Sequence, residues 1–119
     1  MSGRILVVDD NTAILEAIKI TLENEGYTVV TAVNYESIAR QLGMYRPNLI
    51  ILDVLLDGVD GRDICRRLKS DSETKSIPVI MISALSSVQE SVITSGADDF
   101  IAKPFDIDDF LYIVKSRLQ

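Results

Sequence analysis

Leu49-Ile-Ile-Leu-Asp53 is a run of four aliphatic residues that ends in a carboxylate. Three other short apolar runs also end in a polar residue that can take part in chemistry: Ile5–Val8 before Asp9 and Asp10, Val79–Ile82 before Ser83, and Phe100–Ala102 before Lys103. Such runs, separated by helix-like segments, are typical of strands in a parallel sheet that is buried on both faces. Because the ligand crevice of such a sheet lies at the carboxyl ends of its strands, the pattern places these polar side chains at one edge.

The segments between the runs have the spacing of amphipathic helices. The predicted helices are Thr12–Glu25, Tyr35–Leu42, a third helix that carries Ile64, Cys65 and Leu68, Ser86–Ser95, and Asp106–Leu118, and the β-branched segment Thr28–Ala32 is a further strand. Strand and helix therefore alternate five times along the chain. This order predicts an α/β fold: a single doubly wound (βα)5 domain over residues 1–119, with a flavodoxin-like parallel sheet of order 2-1-3-4-5.

The ends of the helices are marked by capping and helix-breaking residues. Asn11 is suited to cap the first helix and Gly26 to end it, and Gly43 together with Pro47 predicts the end of the second. The segment Ser86–Ser95 is rich in Ser and Thr, which form helices poorly, so we expect the fourth helix to be the least stable. The fifth helix is expected to bury its apolar residues, which are Ile107, Phe110, Leu111, Val114 and Leu118.

Composition and charge exclude several classes of partner. With Lys+Arg 12 against Asp+Glu 18, the formal charge of -6 repels phosphate backbones and anionic lipid surfaces, so direct binding of nucleic acid or membrane by this segment is not expected. No amino-terminal stretch resembles a signal peptide, and no run approaches the ~20 apolar residues of a membrane span. The single cysteine, Cys65, excludes an internal disulfide, fits a cytoplasmic location and is expected to be a core residue.

The polar residues at the predicted sheet edge form a set that suits phosphate chemistry. Two carboxylates about 4 Å apart repel by roughly 4 kcal/mol at an effective dielectric near 20, so Asp9, Asp10 and Asp53 need a compensating charge. Hard oxygen ligands on an open edge suit Mg²⁺ or Mn²⁺. Lys103 adds a positive charge and Ser83 a hydroxyl donor. Together these five residues predict a cradle for a phosphoryl group.

Four elements of the sequence occur together in a fixed order: Val7-Val-Asp-Asp-Asn11, Asp53 with Gly61 downstream, Ile82-Ser-Ala84, and the segment from Gly96 to Phe105 that contains Lys103-Pro104. In these elements the chain resembles the CheY-like receiver domain of two-component response regulators, over essentially its full length. The resemblance implies that Asp53 is the phosphoacceptor and attacks a phosphohistidine on a histidine kinase or phosphotransfer protein. It implies that Asp9, Asp10, Asp53 and the backbone carbonyl of Leu55 hold Mg²⁺, and that a cis peptide bond precedes Pro104.

The resemblance also implies roles for the remaining polar residues and for the output. Lys103 would pair with the phosphoryl oxygens and Ser83 would hydrogen-bond to them, while Ser83 and Phe100 would act as the switch. The face built from the fourth helix, the fifth strand and the fifth helix would then change shape and bind an output domain or effector protein. The chain would thus be a cytoplasmic signalling switch that catalyses only its own phosphorylation and dephosphorylation. The sequence leaves the oligomeric state open, and a monomer that pairs when phosphorylated is compatible with it.

Three features of this sequence differ from the usual pattern of that family. Asp57 stands where proline is common, which is expected to loosen the loop after Asp53, and Phe100 lacks the hydroxyl of the commoner tyrosine, so the switch is expected to act through packing. The segment from Ser83 to Gly96 is short, which predicts that either the loop before the fourth helix or the first turn of that helix is trimmed. Two apolar residues, Leu55 and Leu85, lie two positions beyond Asp53 and Ser83, and we expect them to hinder water and lengthen the life of the phosphorylated state.

Three other functions share some of these features with the phospho-switch. A phosphatase of the haloacid dehalogenase type also uses an aspartate and Mg²⁺, but it requires Asp-x-Asp after the first strand, and Asn11 occupies the second position here. A flavin-binding electron carrier shares the fold class, but no Ser/Thr-Gly phosphate loop follows Val8. The complete acidic set with Ser83 and Lys103 argues against a receiver-like module that only binds partners, but Asp57 and the short segment from Ser83 to Gly96 leave this alternative open.

Overall fold

The computed structural model describes residues 3–56 and 58–118. The strands are β1 (Arg4–Val8), β2 (Thr28–Ala32), β3 (Leu49–Asp53), β4 (Leu55–Leu56), β5 (Val59–Asp60), β6 (Val79–Ser83) and β7 (Asp99–Ala102). The helices are α1 (Thr12–Asn24), α2 (Tyr35–Tyr45), α3 (Gly61–Ser70), α4 (Gln89–Thr94) and α5 (Ile107–Leu118), and a 3₁₀ turn (Ser86–Val88) precedes α4. Among these described helices, none has the length and apolar content that crossing a membrane requires.

Five of the strands form one parallel sheet in the order β2-β1-β3-β6-β7. Counted without the short β4 and β5, this is the predicted order 2-1-3-4-5, and the prediction of the fold is confirmed. β4 and β5 instead form an antiparallel hairpin directly after β3, with Leu55 opposite Asp60 and Leu56 opposite Val59. No pattern in the sequence predicted this hairpin.

Alternation along the strands divides the core into two clusters, one on each face of the sheet. On one face Leu6, Val8, Ile50, Leu52, Met81 and Val92 pack with α2, α3 and α4 residues. On the other face Ile5, Val7, Ile51, Ile82 and Ile101 pack with residues of α1 and α5. Because both faces are covered, the three central strands β1, β3 and β6 are apolar except at a terminal residue, which is Arg4, Asp53 and Ser83 respectively.

Helix ends agree with the sequence analysis in part. The side chain of Asn11 accepts hydrogen bonds from the amides of Ala13 and Ile14, and it is the predicted cap of α1. The predicted end of α2 was wrong: the helix continues through Gly43 to Tyr45, and it ends at Arg46, which has a left-handed φ of 45°. Arg46 precedes Pro47, a position at which helical backbone is disfavoured.

The fourth and fifth helices also differ from their predictions. The first turn of the predicted fourth helix is the 3₁₀ turn Ser86–Val88, so α4 has only six residues. The fifth helix begins one residue later than predicted, at Ile107. Asp106 precedes the helix, and its side chain accepts hydrogen bonds from the amides of Asp108 and Asp109 in the first turn. Phe110 and Val114 are fully buried as expected, but Ile107 is 49% exposed, so its prediction as a buried residue was wrong.

Asp98 links α3 to the start of β6 through two hydrogen bonds. Its Oδ2 accepts a hydrogen bond from Lys69 Nζ at 2.9 Å and another from the backbone N–H of Val79 at 2.8 Å. Burial alone would raise the pKa of Asp98, but these two donors outweigh burial and hold the pKa below its ordinary value. The ionised form of this carboxyl therefore stabilises the fold.

We expect Asp98→Asn to lower the free energy of unfolding by about 1 kcal/mol near neutral pH. Because the folded-state pKa of Asp98 lies below the unfolded value of 3.8, this contribution is present above that value and is lost as pH falls through the folded-state pKa. Urea unfolding of both proteins, from neutral pH downwards, should therefore show the difference narrowing below about pH 5. A difference that stays constant over the whole acid range would rule out this assignment.

Gly61 begins α3 in close contact with the end of β3. A Cβ atom built on Gly61 would overlap the backbone oxygen of Asp53 and would lie 3.1 Å from Cα of Val54. The amide of Gly61 also donates to the Val54 carbonyl at 2.6 Å. The Cε atom of Met81 also lies within 2.9 Å, but the nearest obstructing atom is the backbone oxygen of Asp53, so a side chain at position 61 can be accommodated only by moving the strand end that carries Asp53.

Gly61→Ala should therefore destabilise the domain by about 2–3 kcal/mol, through overpacking that nearby side chains cannot relieve. Chemical denaturation measures this directly. Gly43→Ala is the matched control, because no described atom lies within 4 Å of a Cβ at that position and alanine favours helix over glycine. If Gly61→Ala and Gly43→Ala have equal free energies of unfolding, the contact between Gly61 and β3 is unimportant for stability.

Candidate functional site

The carboxyl ends of β1, β3 and the segment after β7 bring Asp9, Asp53 and Lys103 together. Lys103 Nζ lies 2.9 Å from Asp53 Oδ2 and 3.1 Å from Asp9 Oδ2, so one ammonium group bridges two carboxylates. The three side chains are strongly shielded, with exposed fractions of 16% for Lys103, 11% for Asp53 and 0% for Asp9. Lys103 precedes Pro104 through a cis peptide bond, as the resemblance implied.

Asp9 is the most deeply buried of the acidic groups. Its Oδ1 accepts the amide hydrogen of Asn11 at 2.9 Å, and its Oδ2 accepts from Lys103. Burial raises the pKa of Asp9, and the hydrogen bonds from Asn11 and Lys103 offset only part of that rise. Asp9 therefore holds its negative charge in an environment that penalises the charge, so an additional cation nearby would stabilise it.

Lys103 is held in its charged form by its two partners. Burial alone would lower the pKa of Lys103, but the hydrogen bonds to Asp53 and Asp9 outweigh burial, and the pKa is raised above its usual value. The ammonium is thus a fixed positive charge beside Asp53, and it can interact with an anion that arrives there.

The third carboxylate, Asp10, is exposed at the rim of the same cluster. Asp9, Asp10 and Asp53 each offer one oxygen, and these oxygens lie within 4.8 Å of one another. A set of carboxylate oxygens with one solvent-facing member fits Mg²⁺, which takes hard oxygen ligands and keeps several waters. The donor set of this chain is therefore compatible with the predicted divalent cation.

Leu55 and Leu85 are half-exposed apolar residues in the segments that follow Asp53 and Ser83. The amide of Leu55 donates to Asp53 Oδ1 at 3.1 Å, and the amide of Leu85 donates to Ser83 Oγ at 3.0 Å. Each leucine is thus held two residues beyond a polar side chain of the site, with 56% of Leu55 and 47% of Leu85 exposed. Asp57, whose effect on the same loop was predicted, lies outside the described residues.

Ser83 and Phe100 lie on the face of the sheet that α4 covers. Ser83 is the last residue of β6, its side chain is buried, and it stands opposite Ala102 in the register. Phe100 is partly buried and packs against the cluster that contains Met81 and Val92. Because side chains alternate along a strand, Phe100 and Ala102 lie on the same face of the sheet. Ser83 is paired with Ala102, so Ser83 and Phe100 also share that face.

An apolar groove of about 410 Å³ adjoins the carboxylates on the other face of the sheet. It runs between α1 and α5 and is lined by residues that include Ile14, Ala17, Lys103, Phe105 and Ile107. Exposure of Ile107 is explained by this position, since the side chain forms part of the groove wall. The groove shares Lys103 with the acidic cluster, so a partner seated in it would lie next to Asp53.

Residues 5–115 match the family of response regulator receiver domains. The chain belongs to that family. The predicted resemblance is thereby confirmed, and membership decides against the haloacid dehalogenase and flavin-carrier alternatives. Receiver domains act in two-component signalling, as acceptors of phosphoryl groups, and they bind Mg²⁺ at an acidic pocket.

Individual proteins are similar to this chain in sequence and in structure. The receiver domain is 42% identical over 121 residues to the DNA-binding dual master transcriptional regulator RpaA of Synechocystis, with 98% of this chain and 49% of RpaA covered. The chain thus spans about half the length of that relative. A response regulator receiver domain from Bermanella marisrubri superposes with a TM-score of 0.92 at 31% identity, covering 100% of both chains.

A second similar structure contains a metal ion. The receiver domain of a sensor histidine kinase from Pseudomonas aeruginosa PAO1 has a TM-score of 0.87 at 25% identity, covering 99% of this chain and 98% of that one. That protein has a magnesium ion coordinated in its active site cleft. Receiver domains are therefore found both in regulators such as RpaA and in kinases.

Sequence reasoning placed Asp9, Asp53, Ser83 and Lys103 at one edge, and the structure brings them there. It named Gly61 only as part of a motif and did not foresee its contact with β3. It also did not identify a polar contact between Arg62 and Ser91, which are 29 residues apart. No local pattern marks such a pair, because either residue alone resembles an ordinary surface side chain.

Proposed function

We propose that residues 1–119 act as one receiver domain in which Asp53 accepts a phosphoryl group from a phosphohistidine of a histidine kinase or phosphotransfer protein. The observation that carries this proposal is the position of Lys103 Nζ, 2.9 Å from Asp53 and 3.1 Å from Asp9. Asp53 is a shielded carboxylate that lies beside the fixed ammonium of Lys103 and near the carboxylates of Asp9 and Asp10. Such a carboxylate is suited to receive an anion once a cation balances the negative charge.

The proposed reaction is an in-line displacement at phosphorus. A carboxylate oxygen of Asp53 forms the new O–P bond while the P–N bond to the donor imidazole breaks, and the electron pair of that bond stays with the imidazole nitrogen. Phosphoryl transfer of this kind needs positioning and charge stabilisation more than covalent help from the protein. Lys103 stabilises the negative charge on the phosphoryl oxygens, and Ser83 donates its hydroxyl to one of them.

The residues proposed to hold Mg²⁺, or Mn²⁺ in its place, are Asp9, Asp10, Asp53 and the backbone carbonyl of Leu55. When bound, such a cation neutralises carboxylate and phosphoryl charge at this edge. Asp9 keeps its orientation through the amide of Asn11, and Asp53 keeps its own through the amide of Leu55. The protein thus contributes ligands that are already hydrogen-bonded in place.

The proposed output is a change at the face formed by α4, β7 and α5. Ser83 moves towards the phosphoryl group, and Phe100, which has no hydroxyl, turns inward and packs into the space that Ser83 vacates, beside the cluster that contains Met81 and Val92. Support comes from their shared face and from the contact of Phe100 with that cluster. An output domain or effector protein would then bind by population shift.

We further propose the setting in which this domain works. It is a cytoplasmic monomer that can pair when phosphorylated, and it catalyses only its own phosphorylation and dephosphorylation. The single cysteine, Cys65, is fully buried, and burial raises the pKa of its thiol, which fits a structural residue in a reducing compartment. The groove beside Lys103 offers the donor protein an apolar surface next to Asp53.

Incubation with acetyl phosphate tests the proposal without knowledge of the kinase. The wild-type chain should gain the mass of one phosphoryl group in the presence of Mg²⁺ and none in EDTA. Peptide mapping should then place the group on the segment that contains Asp53. An unlabelled protein that binds Mg²⁺ normally would instead favour a receiver-like module that only binds partners.

The phosphorylated state is expected to be long-lived, because Leu55 and Leu85 line the edge over which water must approach. Leu55→Asn and Leu85→Asn should each shorten the lifetime of the label by about tenfold, equivalent to about 1.4 kcal/mol in the barrier to hydrolysis. Decay is followed by intact mass after acetyl phosphate is removed and Mg²⁺ is retained.

Met44→Asn is the matched control for this measurement. Met44 is 67% exposed, near the end of α2, and lies on a different element from the acidic cluster. Its variant should lose the label at the wild-type rate. Rapid loss from the wild type, or equal rates in all four proteins, would argue against shielding by the two leucines.

A further inference from the structure

Arg62, the second residue of α3, makes polar contacts in two directions. Its Nε lies 2.9 Å from Asp60 Oδ1 and its Nη2 lies 2.6 Å from Asp60 Oδ2, so the guanidinium forms a two-pronged pair with that carboxylate. Its Nη1 donates to Ser91 Oγ at 2.8 Å. The side chain is 24% exposed, and all of these bonds are partly shielded from water.

On one side this contact reaches the first turn of α4. The hydroxyl of Ser91 accepts from Arg62 and donates to the backbone carbonyl of Val88 at 2.8 Å. Among the described residues, no side chain caps the amino terminus of α4, which follows Val88 and has six residues. Helices this short are unstable without external contacts, so the bond from Arg62 acts together with the burial of Val92 in the core to hold α4 in place.

On the other side the contact reaches the loop that follows Asp53. Asp60 stands opposite Leu55 in the β4-β5 hairpin, and the amide of Leu55 donates to Asp53 Oδ1 at 3.1 Å. Asp60 also accepts the amide hydrogen of Arg62 and so caps α3. A planar guanidinium can satisfy both Asp60 oxygens and Ser91 at once, whereas a lysine ammonium cannot reproduce that fork.

We propose that Arg62 is a positioning residue that couples the loop after Asp53 to helix α4, through Asp60 on one side and Ser91 on the other. This route passes over the β4-β5 hairpin and α3, and it is separate from the strands that carry Ser83 and Phe100. The proposal that this route responds when the site is occupied rests on the proposed function. The proposal that Arg62 holds α4 in place does not depend on that function.

The first experiment measures amide hydrogen exchange of residues 89–94 in the full chain. Arg62→Lys and Ser91→Ala should each raise the exchange rate of these amides by about tenfold, the effect of losing one hydrogen bond to a charged donor. The double variant should add little to either change, because both remove the same contact. Amides of α1 should keep the wild-type rate, which separates loss of the anchor from general destabilisation.

Arg66→Lys is the matched control. Arg66 lies on the same helix and pairs with Asp63, but its side chain is 53% exposed and the pair is at the surface. Exchange of residues 89–94 should stay within about twofold of the wild type in this variant. If the amides of residues 89–94 exchange at the wild-type rate in both Arg62→Lys and Ser91→Ala, the proposal that Arg62 holds α4 in place is wrong.

The second experiment adds Mg²⁺ and beryllofluoride, a phosphoryl mimic, to the same proteins. In the wild type the addition should alter exchange both at residues 53–56 and at residues 89–94. In Arg62→Lys and Ser91→Ala the response at residues 53–56 should persist, while that at residues 89–94 should be at least about threefold smaller.

The outcomes distinguish this inference from the proposed function. A full response of α4 in both variants would overturn the coupling while leaving Asp53 as the acceptor. Absence of any response at residues 53–56 in the wild type would overturn the proposed function and the coupling together. The anchor of α4 would then be judged by the first experiment alone.

Discussion

Asp53→Asn is expected to abolish phosphorylation by acetyl phosphate, with a loss in rate of about 10³-fold or more, equivalent to at least about 4 kcal/mol in the barrier. The amide has nearly the shape of the carboxylate, but its oxygen is a poor nucleophile and carries no charge. The amide oxygen can still accept the backbone hydrogen of Leu55, so the loop should keep its conformation. Intact mass after incubation with Mg²⁺ and acetyl phosphate measures the effect.

Asp10→Asn serves as the comparison for this variant. Asp10 is exposed at the same cluster, and its loss should weaken Mg²⁺ binding and slow labelling without removing the acceptor. At high Mg²⁺ this variant should therefore still gain one phosphoryl group, on the peptide that contains Asp53. Labelling of Asp53→Asn at the wild-type rate would show that another residue is the acceptor. Asp9 is a poor candidate because it is fully buried.

The main strands could be predicted because their sequence pattern has a direct physical cause. A strand that is covered on both faces must be apolar throughout, so the first polar residue marks its end, as at Asp53 and Ser83. The β4-β5 hairpin was missed because each of its strands has two residues, too few for any periodicity to appear. Its pairing depends on the chain returning towards Gly61, which is a tertiary contact.

Errors at helix ends have a similar explanation. Gly43 was expected to end α2, but a glycine inside a helix lowers stability by only about 1 kcal/mol, and packing of Ile38 on the sheet outweighs this. Ile107 has the spacing of a buried residue relative to Phe110, yet it faces the groove next to Phe105. Periodicity fixes which residues share a helix face, but the neighbouring loop decides how much of that face is covered.

For the site, the sequence indicated which residues meet but not how they are paired. Strand-end positions were sufficient to collect Asp9, Asp53 and Lys103 at one edge. The bridging of two carboxylates by one ammonium depends on side-chain positions across segments 94 and 50 residues apart. The link from Arg62 to Ser91 depends on how α3 and α4 pack, so it became visible only in the folded chain.

Lys103→Met is expected to change two properties of the domain in opposite directions. Loss of the ammonium should slow phosphorylation of Asp53 by about 10²–10³-fold, because the negative charge of the phosphoryl oxygens is no longer stabilised there. The same change removes a positive charge beside Asp9 and Asp53 and should tighten Mg²⁺ binding by about tenfold. Since the chain contains no Trp, calorimetry or NMR is the suitable measure of Mg²⁺ affinity.

This opposition separates a direct electrostatic role from a structural one. If Lys103 only maintained the shape of the edge, its loss would weaken Mg²⁺ binding and labelling together, because the same carboxylates serve both. Lys115→Met is the matched control: Lys115 pairs with Glu25 at 2.8 Å on the surface, and its loss should leave both properties unchanged. A Lys103→Met protein that is labelled at the wild-type rate would contradict the role proposed for this ammonium, whatever its affinity for Mg²⁺.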